Sequence, residues 1–105
     1  MRGEVLKGHL DLLLLSTLEV APAHGYVIIE RLRERSVGVL DLAEGTIYPA
    51  LHRLEHEGFV AGRWATVSGR RRRVYALTAV GRRTLQERRR EWRQFAKVMG
   101  AIVTS

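Results

Sequence analysis

A mainly α fold carrying one small β-hairpin is what this sequence predicts, and three observations carry that reading. Apolar residues recur at helical spacing in four separate stretches. One alternating segment late in the chain is interrupted by Ser68-Gly69, the signature of two strands joined by a tight turn. The last stretch keeps a seven-residue apolar repeat, which a long helix facing a partner requires. With 105 residues there is room for one domain. A hydrophobic content of 46% supplies a core, although a domain this small buries a modest share of its surface. Burial against a second copy would add to it.

The first helix is expected over Leu6–Val20. Leu10, Leu13, Leu14 and Leu18 keep helical spacing, while Leu12 and Leu15 add a second apolar face. A helix apolar nearly all round must be covered on more than one side, and the second cover is expected from another subunit. Ala21-Pro22-Ala23 breaks the pattern. The second helix runs from about His24 to Arg35, with Ile28, Ile29 and Leu32 on one face, and Ser36-Val37-Gly38 ends it. Val39, Leu40 and Leu42 form a short apolar link that either adds a minor strand or packs on the core.

The third helix is expected from about Glu44 to Glu57, with Ile47, Leu51 and Leu54 as its buried stripe. Thr46, Tyr48, Pro49, His52, Arg53 and His56 are left on the outer face or its flanks. Pro49 reads as a residue near the helix start, where a missing N–H is best tolerated. Gly58 fits the left-handed position after a helix end, with Phe59 and Val60 folding back on the core. Two strands follow, Arg63–Val67 and Arg72–Leu77, and the turn between them carries Arg70, Arg71, Arg72 and Arg73. Thr78 is a good N-cap for a fourth helix reaching about Val103. In it Leu85, Trp92 and Met99 recur every seven residues, as do Arg88, Phe95 and Ile102. At 1.5 Å per residue this helix is ~39 Å long, more than the preceding residues can cover. It is expected to project and pair with its twin, placing Leu12, Leu15, Leu85, Arg88, Trp92, Phe95, Met99 and Ile102 at a dimer interface. Residues 1–78 then form a compact head and residues 79–105 a dimerisation helix, built as one compact unit.

The formal net charge is +7, and its distribution says more than its size. Residues 1–60 hold six basic and nine acidic side chains; residues 61–105 hold twelve basic and two acidic. Charge segregated in this way marks a polyanion partner. A short helix able to enter a groove, beside a basic β-turn able to grip phosphate, is the layout of a winged helix-turn-helix. The outer face of the third helix is the expected base reader. Thr46 and Tyr48 offer hydroxyls and a ring edge, with His52 and Arg53 one turn on. Arg53 has the alternatives of holding a phosphate or of a salt bridge to Glu57. Of the four consecutive arginines, those on one strand face are expected to grip DNA and the others to pack or stay solvated. Arg2 and Lys7, ahead of the first helix, can add phosphate contacts or belong to a mobile tail.

Other classes find little support. The absence of cysteine removes disulfides and thiolate metal sites and fits a reducing cytoplasm. Leu12–Leu15 is far short of the ~20 apolar residues that span a bilayer, and Glu4 and Asp11 spoil a signal peptide. His52 and His56 have zinc-ligand spacing on a helix, but the glutamate stands at Glu55, out of metalloprotease position, and a third ligand is lacking. There is neither a phosphate loop nor a nucleophile elbow. No enzyme activity, metal or cofactor is therefore expected. An RNA-binding module and a protein-interaction adaptor stand as rival readings.

Three ordered motifs carry a family resemblance: His24-Gly-Tyr26, the run from Glu44 to Gly58, and Gly69-Arg-Arg-Arg-Arg-Val-Tyr-Ala-Leu-Thr78 with Gly81 beyond. Together they resemble the PadR family of bacterial transcriptional regulators over roughly Leu10 to Met99, in its short branch with a single C-terminal helix. The resemblance implies a winged-helix homodimer that represses transcription and leaves its double-stranded operator when a small effector binds. It implies that Tyr26 touches a backbone phosphate beside a helix N-terminus and that Gly69 and the arginines form the wing tip. Some members sense aromatic compounds between paired helices, which makes Trp92 and Phe95 the candidate effector platform. Ser68 stands where the family usually has the first of two glycines. Ala43 stands near a usual small polar residue, so the cap of the third helix is weaker here.

Overall fold

The structure is a computed structural model that describes residues 3–6 and 8–104, without the side chains of Glu4 and Val5. Arg2 and Lys7, candidate phosphate contacts, lie outside the described residues. The elements run α1 (Gly3–Leu6), α2 (Leu10–Val20), α3 (Gly25–Arg35), α4 (Glu44–His56), β1 (Val60–Val67), β2 (Arg70–Leu77) and α5 (Ala79–Val103). The helix expected from Leu6 is thus split. Gly8 takes a φ of +87°, open to a residue without a side chain, and turns the chain between α1 and α2.

Everything else packs around α2. Leu14, Leu15 and Leu18 are buried, and Leu10, Leu12 and Leu13 lie partly buried against the same core. α3, α4, β2 and α5 all touch this helix. Its second apolar face is therefore covered by its own chain, and Leu15, expected at an interface between copies, is enclosed within the monomer. Buried Thr17 donates its hydroxyl to the Leu13 carbonyl at 2.9 Å, which satisfies the one polar group of this face. Arg31 of α3 donates to the carbonyls of Ala21 (2.8 Å) and Thr17 (3.3 Å), placing a cation at the negative end of α2.

After the break at Pro22, Ala23 exchanges two backbone hydrogen bonds with Tyr75, at 3.0 and 2.9 Å. This single antiparallel rung gives the hairpin a third neighbour, which the residues themselves suggested only as a helix breaker. α3 buries Ile28, Ile29 and Leu32. Beyond it, Leu40 is buried and Leu42 packs on the core without forming a strand.

α4 buries Ile47, Ala50, Leu51 and Leu54. Pro49 stands deeper than the first turn: it is an interior residue that cannot donate to the Gly45 carbonyl. Both Gly45 and Pro49 are exposed, so water can take the place of the missing donor. The helix stops at Gly58 (φ +83°), where Phe59 N–H returns to the Leu54 carbonyl at 2.9 Å.

The strands are longer than expected and pair from Val60↔Leu77 to Val67↔Arg70 around a two-residue turn. Ser68 and Gly69 both have positive φ, 51° and 79°, as a twist-matched two-residue hairpin loop demands. The four arginines therefore sit on β2 rather than in the turn.

A knot of contacts sets the direction of α5. Thr78 Oγ1 accepts from Gly81 N–H at 3.0 Å and donates to the Gly58 carbonyl at 2.6 Å. Thr78 N–H reaches the Phe59 carbonyl at 3.1 Å. A Cβ on Gly81 would stand 1.9 Å from that same carbonyl oxygen. Leu85, also expected between copies, is fully buried in the core. Arg88 does not join an outward seam either: its guanidinium lies 5.4 Å from the Phe59 ring centroid and 3.6 Å from Asp11. Beyond it α5 leaves the core with Trp92, Phe95, Val98, Met99 and Ile102 exposed, stretching the molecule to 53 × 29 × 21 Å.

Gly81→Ala is expected to destabilise the fold by at least about 2 kcal/mol, as overpacking does, and to lower Tm by roughly 10 °C. Thermal unfolding followed by circular dichroism checks this; an unchanged Tm would show that α5 can shift away from Phe59.

Candidate nucleic-acid interface

The outer face of α4 presents Thr46, Pro49, His52 and Arg53 to solvent. Tyr48 is different. Its ring lies on α3 at Gly25, where an added Cβ would meet Tyr48 Cζ and Oη at 2.8 Å. Tyr48 is therefore half-buried and only its outer edge can reach a ligand. This explains the glycine of the His24-Gly-Tyr26 motif: any side chain there would push the ring off. Tyr26, one residue on, is exposed in the first turn of α3, with its ring stacked at 6.4 Å on that of His24.

Arg53 does not hang free. Its two terminal nitrogens form a fork on Asp11 of α2 at 2.7 and 2.8 Å, while Glu57, the partner weighed from sequence, is at the 4.0 Å limit. The Arg53 hydrogen bonds hold the Asp11 carboxyl below its ordinary range against partial burial, and Arg88 adds to the effect. A bidentate pair of this kind fixes direction as well as charge. To read a base edge, Arg53 would first have to leave it.

The wing arginines divide by strand face. By register, Arg71 and Arg73 share the face of Trp64, while Arg70 and Arg72 point the other way. Arg73 is committed to Glu55 of α4 at 2.7 Å, and the same carboxylate oxygen accepts Gly62 N–H at 3.0 Å. That pairing ties the wing to α4. Arg70, Arg71 and Arg72 have no ion pair among the described residues. Between helix and wing runs an open groove of about 370 Å³, lined by Tyr48, His52, Trp64, Arg71, Arg72, Arg73 and Tyr75. Trp64 escaped sequence reasoning. The signal was its even spacing from Val60 and Gly62, which puts it on the core-facing side of the hairpin.

His24 is 8% exposed, and its Nδ1 has no partner among the described residues. Burial, with Arg72 assisting, pushes its pKa below the ordinary histidine value. Between the start of α2 and the middle of α5, Trp92 and Phe95 border a hollow of about 320 Å³ with Gly8, His9, Leu12, Arg88 and Glu91.

An exposed helix face, a basic hairpin beside it and a groove between them without a carboxylate in its lining define a winged-helix DNA-binding regulator. Comparison with known proteins agrees. The Transcriptional regulator PadR-like family matches residues 14–87. A transcriptional regulator of Mycobacterium tuberculosis is 39% identical over 74 residues, 70% of this chain and 66% of its own. A PadR family transcription regulator from Clostridium difficile is 37% identical, with TM-score 0.81 over 91% of this chain and 99% of that one. A transcriptional regulator from Clostridium thermocellum superposes at TM-score 0.87 with 28% identity, covering 96% and 99%. The chain belongs to the PadR-like family of transcriptional regulators, and the family's regulators bind DNA.

A histidine whose folded pKa lies below its unfolded value gives stability that is complete above about pH 6.5 and is lost as the pH falls through the folded value. Wild-type Tm is expected to drop between pH 7.5 and 5.5 by more than that of His24→Gln. Parallel curves for the two proteins would remove His24 from the pH response.

Proposed function

We propose that this protein is a homodimeric, sequence-specific repressor acting in the cytoplasm and released from its operator by a small aromatic effector. The observation that carries the DNA-binding part is the pairing of the exposed α4 face with unpaired wing arginines across one groove. Thr46, the edge of Tyr48, Pro49 and His52 enter a major groove. Gly69, Arg70, Arg71 and Arg72 follow the neighbouring backbone, and Tyr26 takes a phosphate at the α3 N-terminus. Arg53 and Arg73, held by Asp11 and Glu55, set the angles of helix and wing.

The dimer follows from α5. Trp92, Phe95, Met99 and Ile102 recur at alternating intervals of three and four residues, the seam of paired helices, and Leu12 flanks their root. Two such copies would set half-sites about one turn, ~34 Å, apart. A flat guest between Trp92 and Phe95 favours one spacing of the two heads and so changes operator affinity.

Fluorescence anisotropy tests the central reading, using the protein's own upstream intergenic DNA against a scrambled duplex at physiological salt. Selective binding to the native fragment at two subunits per site is expected; equal, steeply salt-dependent binding to both would leave only the electrostatic contribution. His52→Ala is expected to weaken the native duplex alone. Arg71→Ala is expected to weaken both and flatten the salt slope by about one. Phe95→Glu is expected to yield monomers in sedimentation equilibrium, and a stable dimer of that variant would move the interface elsewhere. Trp92 emission that is indifferent to flat aromatic compounds would count against the effector site.

A further inference from the structure

The core-facing side of the hairpin continues past the point where the core stops. On that side Val60, Tyr75 and Leu77 are buried, and the next large residue outward, Trp64, is 58% exposed. Trp64 stands directly opposite Arg73, with Arg71 on the diagonal, and each guanidinium carbon lies 5.6 Å from its ring centroid. The two arginines are not equivalent. Arg73 is anchored by Glu55, so the cation it places over the indole is fixed. Arg71 has no carboxylate partner among the described residues and keeps its hydrogen-bonding capacity for something else. Across the groove stand Tyr48 and His52 of α4.

A large apolar ring in contact with a fixed and an unpaired cation, in a groove whose lining has no acidic group, suits a ligand that alternates apolar and anionic surface. A DNA strand does so at every nucleotide, with a sugar between phosphates. A purely structural indole would need neither this exposure nor an unpaired arginine beside it. The eight-residue ladder, the two-residue turn and the Glu55 tie already fix the wing.

We propose that Trp64 is a DNA-contacting residue whose indole packs against the sugars of one strand in the groove between β1 and α4, while Arg71 takes the adjoining phosphate. This rests on the DNA-binding reading above and adds to it a gripping contact that reads no base. It should therefore act alike on native and scrambled sequence.

The 105-residue chain labelled with 5-fluorotryptophan has two ¹⁹F signals, one for each of its two tryptophans, Trp64 and Trp92. The signal missing from Trp64→Phe belongs to Trp64. Duplex is added while anisotropy of the labelled DNA is followed on the same samples. The Trp64 signal is expected to move with the same midpoint as the anisotropy. Trp64→Thr, which retains strand preference, is expected to bind both duplexes about tenfold more weakly, the scale of one aromatic contact to a nucleotide. If the anisotropy saturates and the Trp64 signal stays in place, the indole serves only the wing and the proposal fails, although DNA binding stands. A moving signal with undiminished affinity in Trp64→Thr overturns it equally. If wild-type protein binds neither duplex, the DNA-binding reading itself falls and takes this proposal with it.

Discussion

The packing of α2 by four other elements of its own chain is the constraint from which the rest of the architecture follows. A helix carrying leucines at six of its first nine positions cannot leave most of its surface in water. α3, α4, β2 and the root of α5 are therefore drawn onto it. That arrangement sets the angle at which α4 presents its outer face, and it encloses Leu85 within the monomer. It also determines where apolar surface is left over. The apolar surface left over is densest on the outer half of α5, at Trp92, Phe95, Val98, Met99, Ile102 and Val103, while Val20, Tyr26, Val37, Val39, Trp64 and Val80 are exposed elsewhere.

The uneven charge of the chain is partly resolved within the fold. Asp11, Glu19 and Glu55 come from its acidic part, and each holds an arginine from the basic part: Arg88, Arg89 and Arg73. Exposed pairs of this kind contribute at most about 1 kcal/mol each. Their larger effect is positional, because they tie α5 to α2 and the wing to α4. On the wing Arg70, Arg71 and Arg72 have no such partner among the described residues, and a polyanion would meet them there. Net charge thus overstates what is available for binding, and the local pairing decides it.

Much of this was legible in the residues. Helical spacing located the three longest internal helices, Gly58 and Thr78 marked their punctuation, and Ser68-Gly69 fixed the turn. The failures share a cause. Leu15 and Leu85 read as interface because spacing shows which face is apolar but not what covers it. Local spacing offers Arg53 only Glu57 as a partner, whereas Asp11, which it grips, lies 42 residues away in sequence, beyond any local pattern. Spacing leaves Tyr48 outward or on a flank and cannot show that its ring rests on Gly25 of another helix. Trp64 passed unnoticed because the surrounding arginines dominated the hairpin. The Ala23 rung was invisible for the same reason as Arg53: one residue pairing across the fold leaves no periodicity.

The seating of Gly81 against Phe59 gives α5 a further property. The helix is clamped at one end over its first turns and is about 37 Å long. It works as a pointer whose bearing the winged head sets. A ten-degree rotation of the head about that root carries the tip through about 6 Å, roughly the diameter of a side chain. Read in the other direction, the geometry is a reduction gear: a shift of several ångströms at the tip turns α4 by only a few degrees. A coarse movement of the tip would thereby become a fine adjustment of α4.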